Sequence, residues 1–311
     1  MAWRWRALLI PLALAAALVA AACGGDGAGE EDGRLDVVAS IPILADMVQQ
    51  VGGERVSVRT LVSGDPHTFS PRPQDAQALA RADLVVMNGL GLEPGFERLA
   101  RGSAREDRLL VLTDGLPRLE GGDHGHDHEE DGAEDGDGAA AGDPHYWLNP
   151  RYGMLYVERI RDALIAADPD GREAYQAGAD RYLRELEEID REFEEAVERI
   201  PPERRKLVTA HRAFGHLAER YGLEQVGFVV SSPEQQASAA ALADLVRQIR
   251  AQGVPAVFRE PQIQAGALES AAREAGVEVR VLLSDSFGEG VTGYADLLRF
   301  NMRQLAEGLA P

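Results

Sequence analysis

The sequence is almost without cysteine. Cys23 stands alone among 311 residues, so no disulfide can form within the chain and the fold must rest on packing. Lysine is as scarce, with Lys206 the single example among 32 basic side chains, which we read as composition rather than mechanism. Positive charge is short overall: against 52 acidic residues it leaves a formal net charge of −20. That balance disfavours nucleic acids and anionic surfaces and draws cations in a general way. Several catalytic signatures are missing too. There is no HExxH helix, no GxSxG elbow and no GxxxxGK[ST] loop, so a metallohydrolase, a serine hydrolase and a P-loop enzyme have no support. The apolar run at residues 7–22 is too short and too rich in small residues to be a comfortable membrane span.

What is present begins with a long amphipathic stretch, residues 171–200. At helical spacing Tyr175, Ala179, Leu183, Leu186, Ile189, Phe193, Val197 and Ile200 fall on one stripe, with Glu and Arg between them. Pro201 and Pro202 stop it. A helix of this length runs roughly 40 Å, about the span of a domain. On both sides short β-branched runs alternate with amphipathic ones. The stretch therefore reads as a connector between two α/β halves, rather than as the surface helix of one large domain. A chain of this length with 45% apolar residues can give each half its own core.

The expected organisation is a signal peptide over 1–22, a flexible tether over 23–34, an N-terminal α/β lobe over 35–168, the connecting helix over 169–202 and a C-terminal α/β lobe over 203–311. In the first lobe strands are expected at 35–41, 56–62, 84–88 and 109–113, with helices at about 43–51, 75–81, 96–99 and 151–167. In the last of these Leu155, Ile160 and Leu164 should point inward. In the second lobe strands at 206–209, 226–230, 256–258 and 279–283 alternate with helices at 213–221, 238–251, 265–275 and 294–309. Such β-α-β order argues for mostly parallel sheets. Within the first lobe the segment 120–142 is acidic and carries His124, His126 and His128 with almost no apolar residue, so it reads as a loop. No internal sequence repeat is visible; the halves match in layout only.

Three more histidines, His67, His145 and His211, each lie near the end of an expected strand or at a loop–helix junction, where open α/β sheets gather ligands. Asp285, after the strand VRVLLS, holds an equivalent place. Imidazole is the commonest neutral metal ligand near neutral pH. Three nitrogens and one carboxylate would close a tetrahedral zinc site and leave no position open for catalysis. Each histidine also has a plainer reading: a loop hydrogen-bonder for His67, a turn residue for His145, the start of a helix for His211. His216, five residues after His211, is expected on the surface.

The start of the chain has the form of a secretory signal, with Arg4 and Arg6 before the apolar run. Ala21, Ala22, Cys23 and Gly24 resemble the lipobox of bacterial lipoproteins, which implies a lipid anchor at Cys23. Four longer blocks carry a second resemblance: DPHTFSPRPQD from Asp65, DPHYWLNP from Asp143, TAHRAFGHLAERYGL from Thr209 and SDSFGEGVTGYADLLRFNMRQLAEGL from Ser284. In order and in register they resemble the motifs of metal-binding solute-binding lipoproteins of ABC importers for zinc and manganese. The resemblance covers essentially everything from Leu35 onward. It implies two α/β lobes with mostly parallel sheets, one long rigid helix joining them, and a metal in the interlobe cleft. It carries over the ligands as His67, His145, His211 and Asp285, with Glu260, after AVFR, as the alternative fourth ligand.

In that family manganese-type members tend to place a carboxylate at the third position, where this chain has His211, and nitrogen-rich sites favour zinc. The resemblance thus implies a binding protein rather than an enzyme. It would be extracytoplasmic, lipid-anchored to the membrane or periplasmic, and monomeric. It would capture Zn2+ and deliver it to a membrane permease driven by a cytoplasmic ATPase. Affinity should fall below pH about 6.5, where imidazoles take up protons. Mn2+ or ferrous iron is the alternative cargo of the same class. A secreted zinc enzyme or a surface adhesin has no independent support in the sequence. The histidines of the acidic segment look like the auxiliary loop of zinc-type members. Asn149, where the family often has Asp, suggests an altered partner near the second histidine.

Overall fold

In chain order the first half contains β1 (Leu35–Ala39), α1 (Pro42–Gly52), β2 (Val56–Thr60), α2 (Pro73–Arg81), β3 (Leu84–Met87), α3 (Pro94–Ser103) and β4 (Leu109–Val111). This computed structural model describes residues 33–119, 142–230, 235–264, 266–288 and 290–311. The expected signal peptide, Cys23, and the loop histidines His124, His126 and His128 lie outside the described residues. The four strands form one parallel sheet in the order β2-β1-β3-β4. Its central strands are continuous apolar runs: Val37, Val38 and Ala39 in β1 and Val85, Val86 and Met87 in β3 are wholly buried. A parallel sheet covered by helices on both faces demands that pattern. Proline opens α1, α2 and α3, where its fixed φ suits the first turn and its missing N–H leaves nothing unsatisfied.

Next come α4 (Pro150–Ala167) and α5 (Arg172–Glu198). The second half repeats the layout with β5 (Lys206–His211), α6 (Gly215–Tyr221), β6 (Glu224–Val230), α7 (Ala239–Gln252), β7 (Ala256–Arg259), α8 (Gly266–Ala275), β8 (Glu278–Val281) and α9 (Tyr294–Leu309). Its sheet is again parallel, in the order β6-β5-β7-β8. The two sheets share one winding, so each has its topological switch point between equivalent central strands, β1 with β3 and β5 with β7. Ligands in such sheets gather at that point, outside the strands' carboxyl ends.

The 27-residue α5 joins these two α/β lobes. It packs on α1 and α4 from the first half and on α9 from the second. Tyr175, Ala179, Leu186, Ile189, Phe193 and Val197 are buried along it as the spacing predicts. Leu183 is only half-buried. Tyr182 takes its place because its hydroxyl reaches Asp46 Oδ2 on α1 at 3.2 Å. Gly178 allows the close approach of α1, since a Cβ there would sit 2.3 Å from the Val51 carbonyl. One apolar cluster runs from Val37 through Phe193 to Leu309, and a smaller one around Val208, Ile249, Val257 and Leu268 underlies α7 and α8.

Two expectations need correction. Leu155 points outward, 38% exposed, because the inner face of α4 is set by Tyr156, Val157, Ile160 and Leu164, one position further round the helix. His216 is fully buried, not a surface residue. Its Nε2 lies 2.9 Å from the Asp143 carbonyl, and its ring packs on Tyr146 with centroids 4.0 Å apart. Helical direction from His211 misleads here because the chain leaves β5 through a loop before α6 begins.

Candidate metal centre

Each of the four sequence-predicted residues is delivered by a strand end or a turn. His211 is the last residue of β5, His67 sits in the loop between β2 and α2, and Asp285 follows β8. His145 precedes a short 3-10 turn, Tyr146–Leu148, that leads into α4. One ligand atom from each of His67, His145, His211 and Asp285 lies within 4.8 Å of all the others. Two come from the first half and two from the second. Asp285 is the common neighbour. Its Oδ1 is 3.2 Å from His145 Nε2, and its Oδ2 is 3.8 Å from His211 Nε2 and 4.0 Å from His67 Nε2. Ligand atoms of a tetrahedral zinc site, at 2.0–2.1 Å from the ion, stand roughly 3.4 Å apart. The distance from His145 to Asp285 Oδ1 is already that short, and those from His211 and His67 to Oδ2 are about half an ångström longer.

Burial completes the picture. The side chains of His145, His211 and Asp285 are at most 2% exposed, and only His67 keeps some access, at 12%. His145 Nε2, His211 Nε2 and Asp285 Oδ1 are buried without a hydrogen-bond partner among the described residues. Buried polar atoms are ordinarily satisfied, so acceptors that face one another across a small gap fit a cation. Burial alone would lower the His145 pKa. The charge of Asp285 and the hydrogen bond to Asp143 override it and push the ring up to about 10. Burial would likewise raise Asp285, but the neighbouring imidazoles, His145 first, hold its carboxyl well below the usual range.

The ligating groups have supports of their own. His145 Nδ1 is 2.8 Å from Asp143 Oδ1, which fixes Nε2 as the atom turned to the centre. Behind His211, Glu260 Oε2 lies 2.8 Å from Nδ1, close enough for charge attraction although not aligned as a hydrogen bond. Glu260 Oε1 also accepts the backbone N–H of His211 at 3.2 Å. Glu260 therefore stands behind His211 and outside the group of four. Ser284 donates to Glu260 Oε2, and Gln262 Nε2 donates to Ser284 Oγ at 2.6 Å and to Asp285 Oδ2 at 3.3 Å. Across the lobes, Trp147 Nε1 donates to the Ser284 carbonyl at 2.9 Å. Asn149 caps α4, accepting the Arg151 N–H at 3.0 Å, a task for which an amide oxygen serves as well as a carboxylate.

Sequence reasoning missed the supporting role of Asp143, and the signal was in plain view. Asp-Pro-His occurs twice, at residues 65–67 and 143–145. In both copies the Asp Oδ1 accepts the backbone N–H of the histidine two residues on, at 2.9 Å. This is the local turn that short polar side chains favour. A tripeptide repeated at two expected ligand positions marks the aspartates as well as the histidines.

Comparison with known proteins agrees with this architecture. Residues 37–308 match the family model of ZnuA, the periplasmic zinc-uptake complex component A. The manganese-binding lipoprotein MntA of Halalkalibacterium halodurans is 33% identical over 304 residues, covering 94% of this chain and 95% of its own. Among solved structures, the periplasmic zinc binding protein TroA from Treponema pallidum superposes with a TM-score of 0.79 at 25% identity, over 90% of this chain and 100% of that one. A Mn-bound periplasmic metal binding protein from Candidatus Liberibacter asiaticus gives a TM-score of 0.74 at 25% identity, over 89% and 100%. The chain thus belongs to the ZnuA family of metal-binding receptors of ABC importers, a family of binding proteins and not of enzymes.

Proposed function

We propose that this chain is the extracytoplasmic receptor that captures Zn2+ with His67, His145, His211 and Asp285 and delivers it to the permease of an ABC importer. The observation that carries the reading is the convergence of three imidazole nitrogens and one carboxylate, from both lobes, within 4.8 Å of one another. Nitrogen-rich sets favour zinc over manganese. Four protein ligands also fill a tetrahedron, so the ion is held dehydrated and offers no position for a reacting water. Asp285 meets the cation's charge, while the buried walls reduce competition from solvent. The core that runs through α5 into both lobes supports small tilts of the lobes rather than a wide hinge opening.

In the same reading the permease and its ATPase are the partners, and the receptor works as a monomer. Residues 1–22 are removed and Cys23 carries the lipid anchor. No helix among the described residues is long and apolar enough to cross a membrane. Residues 35–168 and 203–311 act as the lobes and 169–202 as the link. His124, His126 and His128 serve as an auxiliary zinc-sampling segment.

Manganese is the second reading, and the relatives favour it: the one at 33% identity is named manganese-binding. Isothermal titration with Zn2+ and with Mn2+, on wild type and on His211→Ala, tests both. The zinc reading expects submicromolar Zn2+ binding that His211→Ala abolishes, with Mn2+ weaker. Tighter binding of Mn2+ than of Zn2+ would move the assignment to manganese. Binding of neither ion would remove both.

A further inference from the structure

Both carboxylate oxygens of Asp143 accept hydrogen bonds, and they do so in two directions. Oδ1 accepts the backbone N–H of His145 at 2.9 Å and faces the same residue's Nδ1 at 2.8 Å. Oδ2 accepts the backbone N–H of Gly215 at 3.0 Å, and the Asp143 carbonyl lies 2.9 Å from His216 Nε2. Gly215 and His216 open α6 in the second lobe, just beyond His211. The His216 ring in turn packs on Tyr146, the neighbour of His145. One carboxylate, 5% exposed, therefore joins a histidine of the first lobe to the segment that follows a histidine of the second.

The residue at 215 fits this contact and no larger one. A Cβ there would sit 2.6 Å from Asp143 Oδ2, well inside van der Waals contact. An alanine would otherwise be favoured in the first turn of a helix over a glycine, by up to about 1 kcal/mol. Glycine at this position is thus explained by the approach of the carboxylate and not by the needs of α6.

We propose that Asp143 is a positioning residue that couples cation capture at His145 to the seating of α6 in the opposing lobe. This rests on the receptor reading above. With Nδ1 held by Asp143, His145 presents its Nε2 lone pair to the cation. A cation on Nε2 draws electron density from the ring, which makes Nδ1 a stronger donor and tightens its bond to Asp143. The carboxylate cannot turn away from His145 without also leaving Gly215. Loss of the ion and loosening of α6 are then one step, linked through this side chain.

The two sides of Asp143 can be cut separately. Gly215→Ala crowds Asp143 Oδ2 on the α6 side and alters none of the four residues that face the cation. Asp143→Asn leaves one acceptor oxygen where two are needed, so it disturbs the His145 side as well. Co2+ absorption reads the coordination geometry, stopped-flow transfer of Zn2+ to a chelator reads release, and hydrogen exchange reads the amides of α6. We expect Gly215→Ala to keep the wild-type Co2+ spectrum, release Zn2+ about tenfold faster, and lose the metal-dependent protection of α6. Asp143→Asn should alter the spectrum and weaken Zn2+ binding by about 10- to 100-fold. A Gly215→Ala protein with the wild-type release rate and wild-type metal-dependent protection overturns the coupling. Should that variant not fold, Asp143→Asn decides alone, and an unchanged spectrum with affinity within twofold of wild type overturns it. Absence of Zn2+ and Co2+ binding by the wild type would instead strike the receptor reading.

Discussion

The carboxylate of Glu260 lies 2.8 Å from Nδ1 of His211, while the other nitrogen of that ring faces Asp285 at 3.8 Å. The carboxylate thus stands on the side of the imidazole away from the centre, where a partner of a metal-bound histidine helps to orient the ring. Glu260→Gln should weaken Zn2+ binding by about 10- to 100-fold. The loss should be smaller than that of Asp285→Asn or His211→Ala. Competition against a chromophoric chelator measures all three. A loss for Glu260→Gln equal to that for Asp285→Asn would make Glu260 a ligand in its own right.

Much of this arrangement is written locally in the chain. The alternation of LVVM-type runs with amphipathic helices predicts two parallel sheets, and the stripe on α5 predicts its buried face. The errors come where tertiary contacts overrule helical period. Tyr182 displaces Leu183 because Asp46 offers its hydroxyl a partner, and no spacing rule contains Asp46. His216 is buried because Asp143, 73 residues earlier, accepts its ring nitrogen. The ligands His67, His145, His211 and Asp285 could be named from motifs and Asp143 from the repeated Asp-Pro-His, whereas the contacts made by Glu260, Ser284 and Trp147 could not. Glu260 and Ser284 meet only once β7 and β8 are paired, and Trp147 reaches Ser284 only across the two lobes.

Glu93 is wholly buried, and burial pushes its carboxyl up to about 7 from an ordinary 4.5. Its Oε1 accepts the Asn88 N–H at 2.7 Å. Asn88 in turn donates to the Pro144 carbonyl at 3.0 Å, next to His145. An acid with a raised folded pKa holds its proton longer in the folded state than in the unfolded one. Its contribution is therefore fully present below pH about 4.5 and is lost as pH rises to about 7. Glu93→Gln keeps the shape and removes the ionisation. Relative to this variant, the metal-free wild type should lose about 3 kcal/mol of stability between pH 4.5 and pH 8, an order-of-magnitude figure. Urea unfolding of both proteins at the two pH values checks it; a constant gap would show that Glu93 does not titrate in that window.

The residues that flank the acidic segment lie side by side. A Cβ on Gly142 would be 3.4 Å from the Leu119 carbonyl and 3.6 Å from Cβ of Arg118. Residues 120–141 can therefore be replaced by a Gly-Ser pair without moving β4 or His145. Closing a shorter loop costs no more entropy than closing the longer one, since that cost grows with length. The shortened protein should keep its melting temperature and its high-affinity Zn2+ site. Only additional, weaker zinc equivalents should disappear, as counted by titration calorimetry. A loss of the tight site would place part of it in the removed segment.

Asp190 on α5 is the hub of a nearly dry ion cluster. It accepts Arg220 Nε at 2.9 Å and Nη2 at 2.7 Å, and the Tyr221 hydroxyl at 2.9 Å, all from α6. Side-chain exposures of 10% for Asp190 and 11% for Arg220 mean that neither charge can recover its water if the other is lost. Removing one partner from such a pair costs about 3–5 kcal/mol, whereas replacing both by apolar groups of similar volume is often close to neutral. Asp190→Ala should therefore lower metal-free stability by about 3 kcal/mol. The double variant Asp190→Leu, Arg220→Leu should recover most of that loss. Chemical unfolding of the single and double variants gives the comparison. A double variant as unstable as the single one would mean that the cluster holds α6 on α5 by its geometry and not by pairing its charges.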